Sequence, residues 1–192
     1  MEVDFGTYHH STYEESEKLR LIIYNKFHEG FKSVSLDRNS AIKILDIGCG
    51  LGFTIKVAAD FYTNAIITGI DNFSGSLINS SLAKARNNIE KLGIKERCTV
   101  KETDILDFEG KFDLVISNLV FHNMGVTRFQ AYKNVYSLEP DYFITGDLFF
   151  AGNHENPVDF ELSKISEMFL PVTVRNVDEI TNNFKILVLK RI

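Results

Sequence analysis

The chain is 192 residues long, 44% hydrophobic and 24% charged, with a formal net charge of -5, which fits one globular domain with a real core and leaves little room for a second. Its lysines and arginines are scattered instead of gathered into a stripe, so the electrostatic footprint of most nucleic-acid binders is missing and a nucleic-acid partner is disfavoured. The opening MEVDFGTYHH has acids where a secretory leader has basic residues, no run is long enough to span a bilayer, and Cys49 and Cys98 lack metal-ligand spacing; a soluble, unprocessed protein of a reducing, cytoplasmic compartment with no membrane partner is expected.

In chain order, Ser11 or Thr12 with Glu14 or Glu15 three residues on reads as a capping box, and Leu19, Ile22, Ile23 and Phe27 carry a helix from there to Gly30. Strand-like runs follow at 41–48 (AIKILDIG), 65–71 (AIITGID), 98–103 (CTVKET), 112–118 (FDLVISN) and 141–149 (DYFITGDLF). A helix is predicted over 74–93, where Leu77, Ile78, Leu82, Ala85, Ile89 and Leu92 recur at helical steps and Gly93 supplies a stop. Val126, Phe129, Tyr132, Val135 and Tyr136 mark another helix, and Val158, Leu162, Ile165 and Phe169 a further one. These stripes read as faces packed on a sheet. The alternation predicts a parallel sheet with crossover helices. The end departs from it: 171–180 (PVTVRNVDEI) and 184–192 (FKILVLKRI) are joined by TNN alone, with no room for a crossover helix, so they should pair antiparallel.

The stretch KILDIGCGLGFTIKVAADF, residues 43–61, sets Gly48, Gly50 and Gly52 between the first strand and its helix. A loop there aims backbone N–H groups above the sheet, and glycines allow close approach and unusual torsions; a tight turn that simply needs small residues is the alternative. Nicotinamide and flavin sites favour G-x-G-x-x-G, whose third glycine is replaced here by Phe53. The pattern present is Asp46-x-Gly48-x-Gly50-x-Gly52, and with it the chain resembles the class I S-adenosylmethionine-dependent methyltransferases, whose first motif reads much like ILDIGCGLG. The resemblance extends over nearly the whole chain, including the two closing strands. It implies an α/β fold: a doubly wound, mostly parallel seven-stranded sheet with helices on both faces and an antiparallel C-terminal strand. Residues 1–192 would form one domain, 1–30 a lid or leading helix and 41–192 the sheet core. The implied cofactor is S-adenosylmethionine, with S-adenosylhomocysteine as product.

That cofactor has no pyrophosphate, so Gly48, Cys49, Gly50 and Gly52 need only pass closely beneath its methionine and ribose, while Asp46 favours its cationic end. Asp71 stands 19 positions after Gly52 and suits the ribose hydroxyls, a spacing that NAD would share. The resemblance puts Asn72 and Phe73 at the adenine edge, Asp104 on the adenine amino group with the Ile105 N–H on a ring nitrogen, and Ser117, Asn118 and Leu119 beside the methionine. As a lone residue Asp104 reads as a turn or cap, and Asp107 as a solvated loop charge.

The fourth strand runs into SNLVFHNM, which departs from the Asn-Pro-Pro-aromatic form common among enzymes that methylate amide or base nitrogens. His122 is the candidate catalytic residue, able to take a proton from an oxygen, nitrogen or carbon acceptor; the alternative is a loop histidine that orders its turn. Methyl transfer from a sulfonium can also run on alignment and exclusion of water alone. Asp147 is a candidate substrate contact, and SNLVFHN offers no second carboxylate for the metal that some family members use, so no metal is expected. Tyr8, with His9, His10 and Tyr13, would face the cleft if the N-terminal segment is a lid, and FFAGNHENPVDF (149–160) is the other candidate wall for the acceptor. The implied function is methyl transfer to a small-molecule acceptor. Methylation of a protein or RNA, or a non-catalytic cofactor-binding regulatory subunit, are the alternatives.

Overall fold

The computed structural model describes residues 3–8, 11–74, 80–150 and 157–192. Thr12 Oγ1 accepts the Glu15 N–H at 3.2 Å and Glu15 Oε2 accepts the Thr12 N–H at 2.7 Å, so the capping box falls on Thr12 and opens α1 (Tyr13–Lys32). Gly30 does not end this helix. It lies against Ile144 and Val188, and burial carries the helix past it.

The described strands form one seven-stranded sheet. Central β1 (Lys43–Ile47) pairs parallel with β2 (Ile66–Asp71) on one side and β4 (Leu114–Asn118) on the other. Outside these lie β3 (Cys98–Glu102) and β5 (Tyr142–Leu148), also parallel. Beyond β5, β7 (Phe184–Arg191) inserts antiparallel between β5 and β6 (Phe169–Asn176), giving the order β3-β2-β1-β4-β5-β7-β6. Strand order reverses between β1 and β4, and such a switch point opens a crevice at the carboxyl edge.

Side chains alternate between two cores. Ile44, Ile116, Ile144 and Ile186 face a cluster containing Phe27 of α1, Ile55 of α2 (Phe53–Phe61) and Ile89 of α3 (Leu82–Lys91). Leu45, Val115, Phe143 and Leu187 face the other, with Val135 of α4 (Arg128–Ser137) and Ile165 of α5 (Pro157–Ile165). Strands buried on both faces are what the near-continuous apolar runs KILDI and KILVL encode. Among the described residues no helix is long and apolar enough to cross a membrane.

Several element boundaries differ from the sequence expectation. Ser81 Oγ accepts the Lys84 N–H and starts α3 at Leu82; Leu77 and Ile78 lie outside the described residues. Val126 is 81% exposed in a 3-10 turn (Phe121–Thr127), because Gly125 at φ 55° and ψ -132° breaks the helical path before α4. Phe169 opens β6 instead of closing α5, four residues after Ile165 and in the same buried layer, so its spacing imitates a helix. The closing pair is joined by a longer turn than TNN: β6 stops at Asn176, and the Ile180 N–H donates to the Val177 carbonyl at 2.9 Å.

Gly69 lets β2 lie against the loop that follows β1. An added Cβ would stand 2.5 Å from Ile55 Cδ1 and 2.8 Å from Cys49 Sγ. Gly69→Ala is therefore expected to cost about 1–3 kcal/mol by overpacking, read as a drop of several degrees in the thermal unfolding midpoint. An unchanged midpoint would contradict this packing.

Candidate functional site at the carboxyl edge

The glycine loop is built by backbone torsion. Gly48, Gly50 and Gly52 have φ of 68°, 49° and 89°, a region that side-chain-bearing residues enter only with strain. The N–H groups of Gly48 and Cys49 both donate to the Ile70 carbonyl, at 2.8 and 3.0 Å. Gly50 donates to Asp71 Oδ2 at 2.9 Å, and Gly52 to the Cys49 carbonyl at 2.8 Å. The expected array of free donors is thus corrected: these N–H groups are used within the protein, and the loop is a shaped floor. Cys49 is buried, its side chain turned to Gly69, and burial holds its thiol well above the usual range.

Beneath the floor lies Asp46 of β1, fully buried, with no hydrogen-bond partner for either carboxylate oxygen. Burial first, and then the charge of Asp71, pushes its pKa well above the carboxylate range; the Ile55 N–H, out of hydrogen-bonding geometry, acts weakly against them. An uncompensated acid here fits a cationic ligand. Asp71 is held by two backbone donors, Gly50 on Oδ2 and Phe73 on Oδ1 at 2.6 Å. Asp104 caps a 3-10 turn (Ile105–Asp107) by accepting the Leu106 N–H at 2.9 Å, and its other oxygen accepts the Asn72 amide at 2.8 Å, tying the ends of β2 and β3 together. The Ile105 side chain is buried, and Asp107 is exposed. Phe73 and Leu119 hold positive φ of 51° and 58° without being glycine, a strain of about 1–3 kcal/mol each that collects at functional edges. Next to Leu119, Ser117 Oγ and Asn118 Oδ1 are buried without partners.

Across the switch point, His122 sits in the turn after β4 with its Nδ1 2.5 Å from Asp147 Oδ1. Asp147 is 2% exposed; Oδ2 accepts the N–H groups of Phe121 (2.8 Å) and His122 (3.3 Å), and Oδ1 that of Leu148 (2.8 Å). Asp147, the candidate substrate contact, has its oxygens turned inward onto the histidine and the backbone of its turn. The turn is fixed from below by Phe121 stacked on Tyr132 at 4.6 Å. At its far end Arg128 donates to the Gly125 carbonyl and pairs with buried Glu161 of α5 at 2.9 Å.

The N-terminal segment runs across α1, α2 and α3. The Asn88 amide donates to the carbonyls of Asp4 (2.7 Å) and Leu51 (3.0 Å), linking this strap to the glycine loop. Arg20, 3% exposed, donates to the carbonyls of Phe5 (3.1 Å) and Gly6, pairs with Glu17, and lies over the Tyr8 ring at 5.1 Å. The Tyr8 hydroxyl lies against Arg20 and the Asn118 amide; burial pushes it up to about 12 despite both. Tyr13 is 43% exposed at the start of α1, and His9 and His10 lie outside the described residues. Sequence reading missed Arg20 and Asn88. The signal was there: Ser16, Arg20, Ile23 and Phe27 form one helical stripe, and a polar residue on a buried stripe needs a partner.

Residues 38–141, more than half of the chain and spanning β1 through β4 with the loop, match the family model of a methyltransferase domain. A malonyl-[acyl-carrier protein] O-methyltransferase of Bacillus anthracis is 35% identical over 91 residues, covering 45% of this chain and 31% of that enzyme. The rRNA N(6)-adenosine-methyltransferase metl-5 of Caenorhabditis elegans is 32% identical over 92 residues, covering 44% and 41%. The match therefore spans well under half the length of these relatives. Among solved structures, magnesium protoporphyrin IX methyltransferase from Synechocystis PCC 6803 shares the fold at a TM-score of 0.67 and 16% identity, over 96% of this chain and 86% of that one. Sheet order, glycine floor and family match agree, and the chain belongs to the methyltransferase-domain family, as a class I member of the S-adenosylmethionine-dependent, Rossmann-like kind.

Proposed function

We propose that this chain transfers a methyl group from S-adenosylmethionine to a small-molecule acceptor. The observation that carries the cofactor reading is Asp46, a buried acid without a hydrogen-bond partner beneath the glycine floor. When bound, the cofactor supplies a positively charged sulfur whose methyl is open to displacement. Gly48, Cys49, Gly50 and Gly52 would pass beneath its methionine and ribose, with Asp46 balancing the cationic end. Asp71 keeps lone pairs for the ribose hydroxyls beside the two it gives to Gly50 and Phe73. Asn72, Phe73, Asp104 and the Ile105 N–H would frame the adenine, and Asn118 and Leu119 the methionine.

The acceptor reading rests on the other half of the edge. Among the described residues Tyr8 on the strap and the His122 turn stand at this edge, while residues 151–156 of the other candidate wall, 149–160, lie outside the described residues. The net charge of -5 does not favour a polyanion. The two relatives act, by their names, on an acyl carrier protein and on rRNA, so the shared core leaves the acceptor to the edge residues.

Titration calorimetry with S-adenosylhomocysteine is expected to show saturable one-to-one binding, and a folded chain that takes up no ligand refutes the reading. Asp46→Asn should weaken that binding about tenfold or more while stabilising the free protein. The sign follows from linkage: a carboxyl with a raised folded-state pKa binds more protons folded than unfolded, so it costs stability as pH climbs above about 4. Asparagine escapes this cost. The variant should thus melt above the parent at pH 7, with the gap closing toward pH 4. Gly48→Ala should lower both stability and binding, since its Cβ would stand 2.2 Å from Val120 Cγ2 at a φ of +68°. Adding Val120→Ala should recover only part of the stability, because the torsional cost of about 1–2 kcal/mol stays.

A further inference from the structure

We infer that Asp46 is a proton switch for the cofactor, neutral in the free protein and ionised when a cationic ligand seats above it. S-adenosylmethionine then binds with release of a proton and gains on S-adenosylhomocysteine as pH rises. This rests on the methyltransferase reading above and adds a regulation of the same site.

The placement comes from strand register. Asp46 of β1 pairs with Gly69 of β2, and Asp71, two residues on, shares the face of Gly69. Two acids thus lie diagonally across one face of neighbouring strands, with the Cys49 side chain against Gly69 beside them. Asp71 is supplied with donors, Gly50 on one oxygen and Phe73 on the other. Asp46 is fully buried and has no hydrogen bond on either oxygen. A proton held between two such acids settles on the one without donors, because hydrogen bonds to a carboxylate favour its charge. Among the described residues, the titratable groups that bear on Asp46 are Asp71 from β2 and Cys49 from the loop, whose thiol burial keeps protonated. The α2 side supplies only the weak Ile55 N–H. No lysine or arginine acts on it, and Arg20, the buried cation of the strap, is spent on Glu17 and the carbonyls of Phe5 and Gly6.

A ligand of the right charge reverses this balance. S-adenosylmethionine carries an ammonium, a carboxylate and a sulfonium; S-adenosylhomocysteine keeps the first two and has a neutral thioether. In a buried site a positive centre favours an ionised acid far more than it would in water. On binding, the O–H bond of Asp46 breaks, its electron pair stays on the carboxylate, and the proton leaves to the buffer. Once methyl transfer has cancelled the sulfonium charge, Asp46 has less to balance it and takes a proton back from solvent. The acid therefore holds the donor more firmly than the product, although the two differ by one methyl group and one charge. Linkage gives the sign: a ligand that drives a proton off binds more tightly as pH rises, until the free acid is itself ionised.

Calorimetry of the full chain at about pH 6, below the range where amino groups titrate, counts the protons when it is run in two buffers of different ionisation enthalpy. S-adenosylmethionine should release at least ~0.5 proton per site and S-adenosylhomocysteine clearly less, and the ratio of their affinities should rise at least ~threefold between about pH 5 and pH 7. Asp46→Asn should abolish the release and flatten the ratio. A second measurement does not depend on the variant folding. In carboxyl 13C spectra of aspartate-labelled parent protein, the Asp46 signal should be that of a protonated acid at the same pH and move to the ionised position on saturation with S-adenosylmethionine. An ionised Asp46 in the free parent, binding without proton release, equal release with both ligands, or release unchanged in Asp46→Asn each overturns the proposal while leaving the cofactor reading intact. Failure to bind either ligand overturns the cofactor reading, and this inference with it.

Discussion

Two N–H groups share one carbonyl: Gly48 and Cys49 both donate to Ile70 at the end of β2. That contact folds the chain leaving β1 down onto its neighbour, and the rest of the edge follows from it. The next donor, Gly50, meets Asp71, one residue beyond Ile70. Gly69, one residue before, must lack a side chain so that Cys49 can lie against it. Asp46 is sealed beneath the turn, where neither of its carboxyl oxygens has a hydrogen-bond partner and burial favours the protonated form. One backbone arrangement thus sets the shape of the floor, the aim of one acid and the burial of another.

Several unfavourable features share the carboxyl edge of the sheet. The two cores are dense with Ile, Leu, Val and Phe near full burial, while the uncompensated Asp46, the unpartnered Ser117 and Asn118, and the left-handed Phe73 and Leu119 gather at the tips of β1, β2 and β4. Each costs stability and is tolerated because the packed layers over-determine the backbone around it.

What was legible in the sequence divides along physical lines. Local signals translated directly: the Thr12–Glu15 capping box, the strands at KILDI and LVISN, and the three glycines. Helix extent was less legible, because apolar spacing cannot tell a helix from a turn followed by a strand, as Phe169 shows, or from an exposed turn residue such as Val126. Long-range pairings were invisible. His122 and Asp147 are 25 residues apart and meet only because β4 and β5 are adjacent in the sheet. The destination of the loop's N–H groups was equally hidden, since it depends on where β2 ends. The partners of Arg20 and Asn88 were hidden as well, because they are backbone carbonyls of the N-terminal strap.

One residue joins the two halves of the edge. Val120 fills the space above Gly48 that a side chain would otherwise occupy, and it is followed at once by Phe121 and His122, whose backbone N–H groups are fixed on Asp147. The glycine floor is therefore packed against the start of the same turn that presents the imidazole. A shift of the floor must push on Val120, and the turn cannot absorb it by sliding, since Asp147 holds its beginning and Arg128 its end. Interiors packed this closely transmit displacement instead of damping it. In an in-line displacement, donor and acceptor sides must agree in position to a fraction of an ångström, and here that agreement is set by a direct side-chain contact across the switch point.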